Sequence, residues 1–294
     1  MTIRETTTDR VVRCVIYVIL TLTAIVCLYP LYLVLISSFS DPAAVAQGKV
    51  TLLPVGLTLD AYKEAFRTNE ILTGYRNSLI YTILGTVINM LLTIPAAYSL
   101  SHPKVMGRGV VMKLLVFTMY FYGGLIPQFL LMKGLHLTNT IWAVLLMNGM
   151  SVTNLIIARS FFMSGVPREL EESAEIDGCT PVQTFLQIVL PLSKAMLSVI
   201  LLYYAVSRWN NYTSSLYFQP SADELHSLQM VLRGFIERAN TAARQGTESA
   251  EYYANLVSQL KYSVIVIASI PLLVLYPFVQ KYFEKGVMLG SVKG

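Results

Sequence analysis

Residues 167–191 read Pro167-Arg-Glu-Leu-Glu-Glu-Ser-Ala-Glu-Ile-Asp-Gly178-Cys-Thr-Pro-Val-Gln-Thr-Phe-Leu-Gln-Ile-Val-Leu-Pro191, a polar-rich interruption between apolar segments. The stretch predicts two short helices joined by a turn. Pro167 suits a first helical position, and Glu169, Glu171 and Glu172 fill the first turn, where the helix dipole favours negative charge. Gly178 ends that helix in the left-handed conformation, and Thr180 before Pro181 supplies a cap and a new helical start. Leu170, Ser173, Ala174 and Asp177 share one face by their i, i+3, i+4, i+7 spacing. The two small residues in the middle of that face let a second surface approach the backbone closely.

The rest of the chain sets the class. At 294 residues it is 54% hydrophobic and 13% charged, against roughly 25% charged for soluble domains. A hydrocarbon core of ~30 Å takes about 20 apolar residues in a helix. Five stretches carry no Asp, Glu, Lys or Arg: 14–40, 77–103, 114–132, 137–158 and 262–280. A sixth, near Ile188 to Asn210, is interrupted by Lys194 and Arg208, both read as snorkelling to the interface from near its ends. The expectation is an all-α integral membrane protein of six transmembrane helices. Gly123-Gly124 reads as a packing or kink site inside a helix.

Cys14, Cys27 and Cys179 give no disulfide framework. The first span is too long for a signal-peptide core and lacks a small-x-small cleavage site. The net charge of +5 comes from basic residues flanking spans rather than from a nucleic-acid surface. With both termini on one side, basic residues outside the long loops favour a cytoplasmic location for the termini and for the Pro167 stretch. Two segments then face outward. Asp41 to Tyr75 includes an amphipathic Ala61–Phe66, expected as a short helix on the membrane. Asn211 to Lys261 is expected as a polar loop, long enough to suggest a task of its own.

The search for chemistry is mostly negative. His102, His136 and His226 stand in separate loops without metal-ligand spacing. There is no phosphate loop and no nucleophile–base arrangement. No span carries an ionisable residue at mid-depth of the kind a proton-coupled carrier uses. That leaves a helical pathway driven from outside the chain, or a channel or scaffold working alone.

Glu172-Ser173-Ala174, Gly178 and Ile188-Val-Leu190-Pro191 stand at the spacing of a known motif. They resemble the coupling motif of type I ABC importer permeases: Glu-Ala-Ala, three residues, Gly, nine residues, Ile-x-Leu-Pro. Ser173 replaces the first Ala. The resemblance extends over most of the chain, through Asn77-Ser-Leu79, Ala96-Ala-Tyr-Ser-Leu100, Gly123-Gly-Leu-Ile-Pro127, Trp209-Asn-Asn211 and the tail Gly286–Gly294. It is similar to the smaller permease of maltose-type systems and to importers of polysaccharide fragments such as alginate or pectin pieces.

The resemblance implies a division into an N-terminal tail, helix and outer loop (1–73), a transmembrane core (74–281, with a coupling loop at 164–191 and an outer loop at 211–261), and a cytoplasmic tail (282–294). It implies a bacterial inner-membrane location, a second and different permease subunit, two copies of an ATPase subunit that carry ATP and magnesium, and an extracytoplasmic sugar-binding protein. No cofactor and no enzymatic step belong to this chain. Glu169, Glu172, Ser173, Ala174, Asp177 and Gly178 would dock on the ATPase. Tyr120, Tyr122, Gln128, Tyr203, Tyr204, Trp209, Asn210 and Asn211 carry the aromatic faces and amides that suit a sugar path, and equally suit helix packing or an interfacial belt. Arg238, Asn240, Arg244 and Glu248 would meet the binding protein. Among them Arg238 and Arg244, with Arg233, suit an acidic sugar and equally a solvated loop.

Overall fold

The structure, a computed structural model, describes residues 7–245 and 260–274 together with 276 and 277. All regular elements among the described residues are helical: α1 (Thr7–Ser38), α2 (Pro42–Ala46), α3 (Asp60–Arg67), α4 (Asn69–Ser101), α5 (Arg108–Tyr120), α6 (Leu125–Gly134), α7 (Ile141–Leu146), α8 (Val152–Ser164) and α9 (Arg168–Ile176). Then come α10 (Pro181–Thr184), a π turn (Phe185–Val189), α11 (Leu190–Leu192), α12 (Lys194–Trp209), α13 (Thr213–Phe218), a 3-10 turn (Asp223–Leu225), α14 (Leu228–Gln245) and α15 (Leu260–Val274).

The described residues divide between two compact units, one within 1–68 and 232–269, the other within 69–231 and 270–294. In the first, α1 leaves every residue from Asp9 to Tyr32 exposed, an apolar surface that needs lipid or protein around it. Its C-terminal end turns inward, where Ile36 packs with Ala44 and Val50. The Asp41 carboxylate accepts from the Ala43 and Ala44 amides to start α2. The amphipathic helix expected at Ala61–Phe66 forms as α3, and Tyr62 donates to Ser38 Oγ at 2.7 Å.

The second unit is built on α4. Its core joins Ile94, Ala97 and Leu100 of α4 to Leu155, Ala158 and Phe162 of α8 and to Met196, Ile200 and Tyr204 of α12. Among the described residues two helices, α1 and α4, are long and apolar enough to cross a membrane, or up to four if each bent pair is one span. Several expected spans are broken. Residues 114–132 form α5 and α6, bent by 114° at a non-helical step that includes Gly124 at φ +90°, so the glycine pair lies in the break and Gly124 caps the start of α6 rather than kinking a helix. Residues 137–158 divide into α7 and α8 around Asn148, which takes φ +57°. The stretch expected from Ile188 bends by 84° between Leu192 and Lys194. Lys194 is exposed at the start of α12.

Arg208 does not snorkel. It is 5% exposed, because it reaches across the bundle instead of along it. Its Nε and Nη2 donate to Asn89 Oδ1 of α4 at 3.1 and 2.6 Å. Nη1 donates to the Val144 carbonyl at 2.6 Å, and Nη2 to those of Leu145 and Asn148 at 3.0 and 3.3 Å. The carbonyls left open at the C-terminal end of α7 thus receive a cation, as the helix dipole favours. A β-carbon on Gly85 of α4 would stand 2.8 Å from Arg208 Nε and 2.9 Å from Cδ, so only glycine admits the side chain there. The long polar loop expected at Asn211–Lys261 is also corrected: it contains α13 and α14, and α14 buries Leu228, Val231, Leu232 and Phe235.

Gly85→Ala lowers the thermal midpoint of the detergent-purified protein by the equivalent of about 1–3 kcal/mol, the usual cost of overpacking. Gly109→Ala, in α5 with nothing within 4 Å, serves as the control and leaves it in place. Equal midpoints for the two variants contradict the Arg208 clamp.

Candidate functional site

Two sites stand out in the second unit: a mounted turn after α8 and a polar cavity beside Arg208. The turn begins at Pro167, which is the cap of α9 rather than its first residue. The end of α9 is a Schellman motif. Cys179 N–H donates to the Ala174 carbonyl at 2.9 Å, Gly178 N–H donates to Glu175 at 3.1 Å, and Gly178 takes φ +81°. Thr180 and Gln183 close a capping box that starts α10. Two caps back to back fix this corner through the backbone.

Side chains fix it to the end of α4. Arg168 Nη2 donates to the Ser101 carbonyl at 3.0 Å, and Nη1 to His102 Nδ1 at 2.7 Å and to Glu171 Oε2 at 3.2 Å. His102 Nε2 lies 3.3 Å from Glu171 Oε2. Nδ1 accepts from Arg168, so the proton sits on Nε2 and the ring bridges cation and carboxylate in its neutral form. Burial holds the His102 pKa below its ordinary 6.5, against the pull of Glu171. Below the ring, Tyr98 meets His102 edge-on at 4.6 Å and stacks on Phe185 at 4.8 Å.

Glu169, Glu172, Ser173, Asp177 and Gly178 are all exposed on this corner, and Ala174 is 4% exposed. The face read from spacing is therefore divided: Ala174 seats α9 on its own chain, and Ser173 Oγ turns back to the Glu169 carbonyl at 2.8 Å. The outward surface adds Ile176, 86% exposed, which spacing did not single out.

The cavity measures about 530 Å³ and is lined by Asn89, Asn148, Ser151, Asn154, Tyr203, Tyr204, Ser207, Arg208 and Asn211, with Met150. A second, of about 470 Å³, shares Asn148, Ser207 and Asn211 and adds Tyr122, Gln128 and Tyr217 among others. The two adjoin through the shared residues. Tyr204 is buried, its hydroxyl bonded to Thr93 and accepting from Ser151 N–H. Tyr122 donates to Gln128.

With this geometry in view, the family described as "Binding-protein-dependent transport system inner membrane component" matches residues 71–289. The chain belongs to this family. The permease is 40% identical over 287 residues to the polygalacturonan/rhamnogalacturonan transport system permease protein YtcP of Bacillus subtilis, covering 97% of this chain and 99% of that one. It is also 40% identical to Protein LplC of Bacillus subtilis, covering 90% and 89%. A crystal structure of a bacterial ABC transporter involved in the import of the acidic polysaccharide alginate aligns with a TM-score of 0.84 at 32% identity, covering 96% of this chain and 100% of that one. Family membership makes the permease a transport component rather than an enzyme, and sets aside a channel or scaffold working alone.

Of the residues expected on a sugar path, the cavities gather Tyr122, Gln128, Tyr203, Tyr204 and Asn211. Tyr120 is 79% exposed and lines neither. Trp209 is buried, edge-on to Tyr75 at 5.7 Å. Asn210 donates to the Val206 carbonyl of its own helix. Spacing missed Asn89, Asn148, Asn154, Ser207 and Arg208, which meet only through tertiary packing. Arg238 stands over the Phe235 ring at 4.5 Å, Asn240 and Arg244 continue α14, and Glu248 lies outside the described residues.

A folded-state pKa below the unfolded one means that folding favours the neutral His102 ring. That contribution is present above pH 6.5 and is lost as pH falls through the depressed value. Between about pH 7.5 and about pH 5.5 the thermal midpoint of the wild type therefore drops further than that of His102→Gln, whose amide keeps one acceptor and one donor without titrating. Parallel curves contradict the assignment.

Proposed function

We propose that this chain is one of two different pore-forming subunits of an ATP-driven importer for acidic oligosaccharides of the galacturonan or alginate class. The observation that carries this reading is the α9–Gly178 corner: a short acidic helix, exposed outward and fastened through Arg168 to the end of α4, in a chain of this family. Glu169, Glu172 and Asp177 offer charge-assisted hydrogen bonds to a docking groove, and Ser173 and Gly178 keep the surface low. ATP and magnesium belong to a pair of ATPase subunits, one of which docks there. The substrate class is supported by the printed functions of the similar permease and of the alginate importer.

Counting each bent pair as one span and adding α8 and α15 gives six. The charge pattern supports cytoplasmic termini on the same side as α9. In this arrangement 74–281 is the transmembrane core, 282–294 a cytoplasmic tail, and α13 and α14 face the side from which a binding protein delivers sugar. Arg238, Asn240, Arg244 and Glu248 are then its contacts.

Glu172→Lys and Gly178→Pro reduce sugar uptake by about tenfold or more, with the ATPase no longer co-purifying and the permease still in the membrane. Proline cannot take the positive φ of Gly178, and Glu172→Lys reverses an exposed charge without touching the fold. Normal uptake with both variants overturns the docking role.

A further inference from the structure

We infer that the buried guanidinium of Arg208 sets the charge selectivity of the cavity, admitting carboxylate-bearing sugar units in preference to neutral ones. The inference rests on the importer reading and assigns a residue to its specificity. Arg208 is 5% exposed yet lines the cavity of about 530 Å³. Every hydrogen-bond partner it has among the described residues is neutral: the Asn89 amide oxygen and the carbonyls of Val144, Leu145 and Asn148. No Asp or Glu lines this cavity or the one adjoining it, and no other cation does so among the described residues.

Neutral acceptors make a buried ion tolerable, but they do not cancel its charge. In a low-dielectric wall that charge acts at longer range than in water, and a cleft lined by one sign of charge concentrates the opposite one. Most of the N–H donors of Arg208 are already committed to the clamp. It therefore offers a passing sugar its field rather than a direct hydrogen bond. Direct contacts fall to neutral groups suited to sugar hydroxyls and ring faces: Asn154, Ser151, Asn211 and Tyr203. Such a wall binds any sugar weakly and a uronate better.

The test uses the complete importer in proteoliposomes with its own binding protein, supplied with trigalacturonate or with its fully methyl-esterified form. Ser207 lines both cavities and none of the clamp's hydrogen bonds uses it. Ser207→Asp adds a carboxylate beside Arg208 and lowers the acid-to-ester transport ratio about tenfold, whereas Ser207→Asn, polar and neutral, leaves the ratio as in the wild type. Arg208→Lys, where it assembles, keeps the acid preference. Where it does not assemble, the Ser207 pair decides alone. An equal change in both Ser207 variants, or none in either, overturns the inference. A wild type that moves both probes equally overturns the inference alone. One that moves neither overturns it together with the proposed substrate class.

Discussion

A single buried cation holds the second unit in register. The Arg208 guanidinium bonds α4 through Asn89 and the end of α7 through Val144 and Leu145, and it occupies the space that Gly85 leaves open. A hydrogen bond to a charged group is worth about 1.5–3 kcal/mol, and the guanidinium makes several to neutral acceptors. The arrangement also explains two local oddities. Asn148 adopts a left-handed conformation, and its carbonyl accepts from both Asn89 and Arg208. The neighbouring Trp209 is buried as α12 turns its last residues into the bundle.

A second arginine fixes the other functional element to the same helix. Arg168 binds the last residue of α4 and the histidine after it, while Arg208 binds α4 at Asn89. At 1.5 Å per residue, Asn89 and Ser101 lie roughly 18 Å apart along the helix. The α9 corner and the polar cavity are thus mounted on one helix of 33 residues, with Pro95 between the two points of attachment. The corner is fastened to α4 at Ser101, and the cavity wall is fastened to the same helix at Asn89.

Local chemistry was legible in the sequence, and long-range chemistry was not. The glycine stop at Gly178, the Thr180–Pro181 start and the amphipathic α3 follow from rules acting over a few residues. The spacing of Glu172, Gly178 and Pro191 matches a coupling motif and carries the family without any geometry. Arg208 was misread because its position near the end of an apolar stretch suits snorkelling equally well, and its acceptors lie 60 to 119 residues away. The burial of Ala174 within its own chain was not legible because spacing places it on a helix face without telling which side of that face meets the protein. The helices in Asn211–Lys261 were missed because their polar composition hides an apolar stripe at Leu228, Val231, Leu232 and Phe235.

In the proposed importer the α9 corner is the surface on which an ATP-hydrolysing subunit docks. A photo-crosslinking amino acid at Ile176, 86% exposed on that corner, tests it in membranes of cells making the whole importer. One dominant crosslinked product containing the ATPase is expected, formed from Ile176 and not from the same probe at Thr23 in α1. A product without the ATPase at Ile176, or ATPase capture of equal yield from Thr23, would contradict it.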